Sequence, residues 1–282
     1  MSVESETTTG TGSGTVVGRA LDYVANELEM RKILAGYALV VGVFVYLPMI
    51  SVILFSFSSS GSSFPIEGFT TRWYSVMLAD GPLIASITSS LQLAAVVMVI
   101  TTTMATGAAL AYRHQFVGKR ALLYLVILGI ITPGITYSVG ATLFLNEILG
   151  LPRGLWSTIP VHVVWTFPFA FIILLAGIPP NLAEQEDAAR VMGLSERKIF
   201  TKITLPQIWS TILGAAVFAL TLSYNEGTRS ILLLGSDNTM PVYVFSTIAS
   251  TGTGAEMLAL GAVTTFVSIV LLGIGGVLLL RY

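Results

Sequence analysis

Six long apolar runs leave this chain few ways to fold. They lie at about Ile33–Phe57, Ile84–Tyr112, Ala121–Leu145, Leu155–Ile178, Ile208–Leu234 and Met257–Leu280. Crossing the hydrocarbon of a bilayer takes roughly 20 mostly apolar residues, so each run is long enough to span. In lipid a helix satisfies its own backbone hydrogen bonds. The polar–apolar alternation of a membrane barrel is absent. The expected fold is therefore all-α, with six transmembrane helices. Two of the runs are broken. Pro160 and Pro168 interrupt the fourth, and Thr132-Pro133-Gly134 breaks the third near its middle. Such a break either kinks a helix for packing or exposes carbonyls that line a cavity.

Composition closes the alternatives. Only 10% of the residues are charged, against 54% hydrophobic, where a soluble domain carries about 25% charged residues. The chain cannot cover a water-facing surface, which excludes a soluble enzyme and a disordered scaffold. A net charge of −1 provides no basic field for nucleic acid. The absence of cysteine excludes disulfides, thiol catalysis and thiolate metal sites. No H-E-x-x-H, no G-x-S-x-G with a nearby base and no paired helical carboxylates occur. No catalytic residue, metal ligand or cofactor of its own is expected.

Lys and Arg favour the cytoplasmic side of a membrane. With six spans and an inside N-terminus, the inside pieces hold Arg19, Arg31, Lys32, Arg113, Lys119, Arg120, Arg190, Arg197, Lys198, Lys202 and Arg281. The outside pieces hold only Arg72 and Arg153 and carry Glu67, Asp80, Glu147, Asp237 and Glu256. Both termini are expected in the cytoplasm of a cell-membrane protein. The first run begins too late and is too long for a cleavable signal. Residues 1–32 read as a flexible cytoplasmic tail and 33–282 as one transmembrane domain. Met1–Thr15, rich in Ser, Thr and Gly, buries nothing and is expected to be disordered. Val16–Lys32 reads either as an amphipathic surface helix or as a tether.

Pro179–Gln207 is the one cytoplasmic connection long enough for structure of its own. Pro179 and Pro180 end the fourth span. Asn181 with Glu184 has capping-box spacing, predicting a helix over about Leu182–Met192. Gly193 and Leu194 suit a left-handed helix end. Ser195 is placed to cap a second short helix, about Glu196–Ile203, and Pro206 marks the start of the fifth span.

The segment reads Asp187-Ala188-Ala189, three residues, Gly193, nine residues, Ile203, one residue, Leu205-Pro206. It resembles the E-A-A-x3-G-x9-I-x-L-P loop of binding-protein-dependent ABC importer permeases. Asp187, preceded by Glu186, stands where the family pattern has Glu. Gly68-Phe69-Thr70-Thr71-Arg72-Trp73-Tyr74 is similar to the G-F-T-x-x-W-Y segment of spermidine/putrescine-type permeases. Ser89-Ser90-Leu91 is similar to their N-S-L. Related permeases for ferric iron, phosphonate and sulfate share much of this pattern.

The resemblance implies a coupling helix that sits in a cleft of a separate ATP-binding subunit. Glu186, Asp187, Ala188, Ala189, Gly193, Ile203, Leu205 and Pro206 would form that coupling surface. Slim alanines permit close approach, and the carboxylates are free to meet donors of the partner. The chain has no phosphate-binding loop, so ATP would be used by a homodimer of the partner. The other implied partners are a second permease subunit, an external solute-binding protein and membrane lipid. An ion-coupled secondary transporter is the alternative class. It would show inverted repeats with paired broken helices, and none is evident.

The fifth run contains Ser223-Tyr224-Asn225-Glu226-Gly227-Thr228-Arg229. Ionisable groups in a bilayer usually face a cavity or a partner. Glu226 and Arg229 have the i,i+3 spacing of a helical ion pair. In the resembling polyamine permeases this position is commonly acidic, which implies a substrate pathway at Tyr224, Asn225 and Glu226. His162 reads first as a packed, hydrogen-bonded residue. Trp73 and Tyr74 suit a short interfacial helix.

Overall fold

The structure is a computed structural model that describes residues 16–61 and 63–280. The expected disorder of Met1–Thr15 lies outside the described residues. The chain falls into two units divided between Val52 and Ile53. Among the described residues every named element is helical, and the sole extended pairing is an isolated bridge between Ser58 and Phe69.

The helices are α1 (Val16–Ser56), α2 (Arg72–Ala79), α3 (Gly81–Tyr112), α4 (Lys119–Ile131), α5 (Gly134–Thr142), α6 (Leu155–Ala176), α7 (Leu182–Val191), α8 (Glu196–Ile199), α9 (Leu205–Tyr224), α10 (Met240–Thr251) and α11 (Ala255–Leu280). Among the described residues, five helical stretches are long and apolar enough to cross a membrane, and a bent pair raises this to six. Val16–Lys32 is helical and continuous with the first apolar run in α1.

The bent pair is the third apolar run. Lys119–Ile131 and Gly134–Ile148 meet at 107°. Pro133 cannot donate a backbone hydrogen bond, and Thr132 and Pro133 are extended at the corner. The break is therefore a full corner and not a packing kink.

The prolines of the fourth run do not interrupt it. α6 continues through Pro160 and Pro168. Each proline removes one backbone bond, while packing against α3 and α9 holds the helix together. The fifth run is shorter than its hydropathy suggests, because α9 stops at Tyr224 and residues 225–239 form successive turns. The cause is local. The Glu226 carboxylate takes the Arg229 backbone N–H at 3.0 Å, and the carbonyl of Gly227 receives both Ser230 and Ile231 N–H.

Within the second unit, α3, α6 and α9 pack mutually, with α11 against α9. One buried cluster among them uses small residues, Ala105, Ala109, Ala170 and Ala215, around Phe171 and Leu174. Small side chains let helix backbones approach where lipid gives no hydrophobic drive for association. A hydroxyl pair, Thr101 and Thr166 at 2.7 Å, joins α3 to α6.

Candidate functional site

The connection after α6 forms an elbow. Its first arm, α7, starts without the expected capping box. Asn181 sits in a turn, at φ −89° and ψ 5°, rather than in the extended geometry a cap requires, and its side chain makes no capping bond. The far end matches the expectation. Gly193 lies at φ +80°. Its N–H bonds Arg190 O at 2.9 Å, and Leu194 N–H bonds Ala189 O at 3.1 Å. This paired closure needs a left-handed residue, which glycine adopts without strain.

The second arm differs from the expectation of a separate short helix. α8 passes through a π-type turn, Phe200–Thr204, directly into α9. Ser195 makes no side-chain cap; its carbonyl accepts Ile199 N–H at 3.0 Å. Glu196–Tyr224 is thus one continuous helical rod of 29 residues. Pro206 lies within the rod directly after the π-type turn, where it removes one backbone donor without breaking the helix.

The elbow side chains face two ways. Asp187, Ala188, Val191, Met192 and Pro206 are exposed, and Ala189 is fully buried with Leu182 and Ile199. Ile203 and Leu205 are half-buried. Glu186 turns inward, to 7% exposure, and is not available as a surface carboxylate. Arg113, at the end of α3, donates Nη1 to Oε1 at 3.1 Å and Nη2 to Oε2 at 2.5 Å. Thr204 Oγ1 donates to the same Oε1 at 2.6 Å. The Arg113 guanidinium, with help from Thr204, holds the Glu186 carboxyl below its ordinary pKa against the opposing effect of burial. Outside, Arg190 bridges the two arms, reaching Asp187 at 2.5 Å and Glu196 at 2.7 Å. These contacts raise the pKa of the Arg190 guanidinium and lower that of the Glu196 carboxyl.

A second polar cluster sits where α9 ends. Glu226 accepts Arg229 N–H at 3.0 Å, Thr228 Oγ1 at 2.7 Å and Arg229 Nη1 at 2.8 Å. The i,i+3 pair is real, but it closes a turn and does not lie on a helix face. Arg229 Nη2 donates to Thr132 O at 3.1 Å, the carbonyl freed at the α4–α5 corner. The guanidinium carbon also lies 3.6 Å from the Trp165 ring centroid, a cation–π contact. Gly134 permits this approach, because a Cβ there would lie 2.7 Å from Thr228 Oγ1.

Asn225 and Glu226 line an open groove of about 420 Å³ with Ile135, Thr228, Val242 and Phe245. Tyr224 does not join them. It lines an apolar cavity of about 310 Å³ and packs in the cluster of Met77, Leu83 and Leu260. His162 is fully buried, with Nδ1 2.8 Å from Ser223 Oγ and Nε2 2.6 Å from Ser230 Oγ. It is the packed histidine expected. Among the described residues no group of three or more His, Cys, Asp or Glu could hold a metal. Trp73 and Tyr74 stand on α2, and Trp73 Nε1 donates to Ser58 O at 2.7 Å.

Sequence reasoning missed the Arg113–Glu186–Thr204 network and the link from Arg229 to Thr132. A buried acidic residue needs a partner, but no spacing rule connects positions 73 residues apart.

The sequence profile described as binding-protein-dependent transport system inner membrane component matches residues 103–282. The spermidine/putrescine transport system permease protein PotC of Escherichia coli (strain K12) is 27% identical over 243 residues, covering 86% of this chain and 91% of that protein. The putrescine transport system permease protein PotI of the same strain is 26% identical over 213 residues, covering 73% and 76%. Among solved structures, a chain of a bacterial ABC transporter involved in the import of alginate superposes with a TM-score of 0.66 at 19% identity. The match covers 92% of this chain and 96% of that one. At that identity the likeness concerns the fold alone.

Proposed function

The chain belongs to the family of binding-protein-dependent transport system inner membrane components, and from that premise we propose that it imports a polyamine of the spermidine/putrescine kind. It does so as the membrane-spanning subunit of an ATP-driven importer. An external binding protein delivers the cargo, a second permease subunit completes the pathway, and a homodimer of ATP-binding subunits grips the elbow from the cytoplasm. The chain would cross the membrane six times with both termini inside, a topology that the Lys and Arg distribution supports. ATP is used by the partner and not by this chain.

The single observation that carries the reading is the rod. Residues Glu196–Tyr224 join the elbow to the groove as one helix, about 44 Å long at 1.5 Å per residue. A push on Asp187, Ala188 or Gly193 from below moves the far end of the same rod, where Asn225 and Glu226 line the groove. Ile203, Leu205 and Pro206 lie along its base. Switching between inward-open and outward-open states then needs ATP and loaded binding protein to favour different conformations. Tyr224 contributes as the residue at which the rod ends.

The cargo proposal draws on the names of PotC and PotI and on the acidic position Glu226. A second cargo reading, a neutral or anionic solute such as phosphonate or sulfate, is favoured by one observation: Arg229 already neutralises Glu226. Uptake by the reconstituted importer, competed with polyamines, ferric iron, phosphonate and sulfate, decides. Competition by spermidine and putrescine alone supports the polyamine reading, and competition by an anion alone overturns it. Solute movement in vesicles that lack any ATPase would overturn the importer reading itself.

A further inference from the structure

Resting on the importer reading, we infer that Arg113, Glu186 and Thr204 are positioning residues that clamp the elbow to two membrane helices at once. Arg113 caps the end of α3, Glu186 lies mid-way along α7, and Thr204 closes the π-type turn before α9. One carboxylate oxygen, Oε1, receives both Arg113 Nη1 and Thr204 Oγ1. A displacement of α7 therefore pulls on α3 and on the base of α9 together.

Three physical features make this a link for motion and not only a fastening. First, the network is shielded: Glu186 is 7% and Thr204 3% exposed. A charge-assisted bond out of bulk water is stronger and less screened than a surface pair. Second, the Arg113 fork meets both carboxylate oxygens. A bidentate pair fixes orientation as well as distance, which a lysine in its place would not do. Third, Thr204 belongs to a π-type turn, a form found mostly as single-turn bulges and frequently at functional sites. The clamp thus anchors the elbow where the helical rod has its one irregular turn.

The outer bridge through Arg190 does not serve this purpose. It ties α7 to the first residue of the rod, Glu196, but does not reach α3, and its groups are exposed.

The test uses the complete importer, with ATP-binding subunits and loaded binding protein, in proteoliposomes. Cargo moved per ATP hydrolysed is measured for Arg113→Gln, Arg113→Lys, Thr204→Val and the exchange Arg113→Glu with Glu186→Arg. Assembly is followed by copurification of the ATP-binding subunit. The clamp predicts that assembled Arg113→Gln still hydrolyses ATP but moves about tenfold less cargo per ATP, the loss expected for one charge-assisted contact. Arg113→Lys and Thr204→Val should fall between that variant and wild type, and the exchange should recover part of the ratio. Should Arg113→Gln fail to assemble, Thr204→Val decides, since it removes one hydroxyl and keeps the ion pair. A wild-type ratio in every assembled variant overturns the clamp. A wild-type complex whose uptake does not depend on ATP overturns the importer reading, and the clamp with it.

Discussion

Two buried carboxylates, Glu186 in the elbow and Glu226 beside the groove, are each held by one arginine and one threonine. They differ in where the partners come from. Glu226 takes Thr228 and Arg229 from its own turn, two and three residues away. Glu186 takes Arg113 from 73 residues away and Thr204 from 18. A local set of this kind ends a helix and shapes a turn. A set drawn from afar ties separate helices together, so a similar chemical motif builds a wall in one place and a joint in the other. The wall is not wholly local, because Arg229 also reaches back to Thr132 O at the α4–α5 corner.

The comparison orders the expected effects of substitution. Arg229→Met should be the most damaging. It strands Glu226, which is only 7% exposed, and removes the stack on Trp165, so a loss of about 3–5 kcal/mol is expected, read by thermal unfolding of the purified complex in detergent. A smaller loss than for Arg113→Met would mean that water reaches Glu226. Arg113→Met should cost about 1.5–3 kcal/mol, the range for hydrogen bonds to a charged group, because the pair keeps limited solvent contact at 15% and 9% side-chain exposure. Gly193→Ala should cost roughly 1–2 kcal/mol through its left-handed backbone alone, since no atom lies within 4 Å of the added Cβ. An unchanged midpoint would show that the elbow relaxes away from the φ of +80°.

The Glu186 pair also sets a pH dependence. Its folded pKa is lowered, so its stabilisation is complete above the ordinary carboxylate value of about 4.3 and fades as pH falls through the lower folded value. The melting difference between wild type and Glu186→Gln should stay flat from neutral pH to about 5 and shrink only in more acid solution. A difference that already shrinks between pH 7 and 6 would contradict the assigned contacts. The smallest effect is expected for Arg190→Ala, whose exposed pairs are screened by salt. A loss comparable to that of Arg113→Met would place the joint on the wrong face of the elbow.

Legibility followed the same division between near and far. The six apolar runs, the glycine turn at Gly193 and the Glu226–Arg229 pairing were readable because each depends on neighbours in sequence. Hydropathy alone overextended the fifth span to Leu234, since Ile231, Leu232, Leu233 and Leu234 are apolar yet lie outside any helix. The prolines misled in opposite directions: Pro160 and Pro168 sit inside a continuous helix, while Pro133 turns a corner of 107°. Packing against α3 and α9 kept α6 continuous through its prolines, and such packing leaves no local mark in the sequence. The same holds for Glu186, which reads as a surface carboxylate until Arg113 is brought beside it.

On the importer reading, the exposed face of the elbow is held by a separate ATP-hydrolysing protein. Because the chain has no cysteine, Ala188→Cys, Val191→Cys and Met192→Cys each introduce a unique reactive position on that face. Crosslinking in cells that are taking up the cargo should capture the ATP-binding subunit from these three sites and not from the buried Ile199→Cys. Cells that accumulate cargo while none of the three exposed positions captures such a protein would contradict the account.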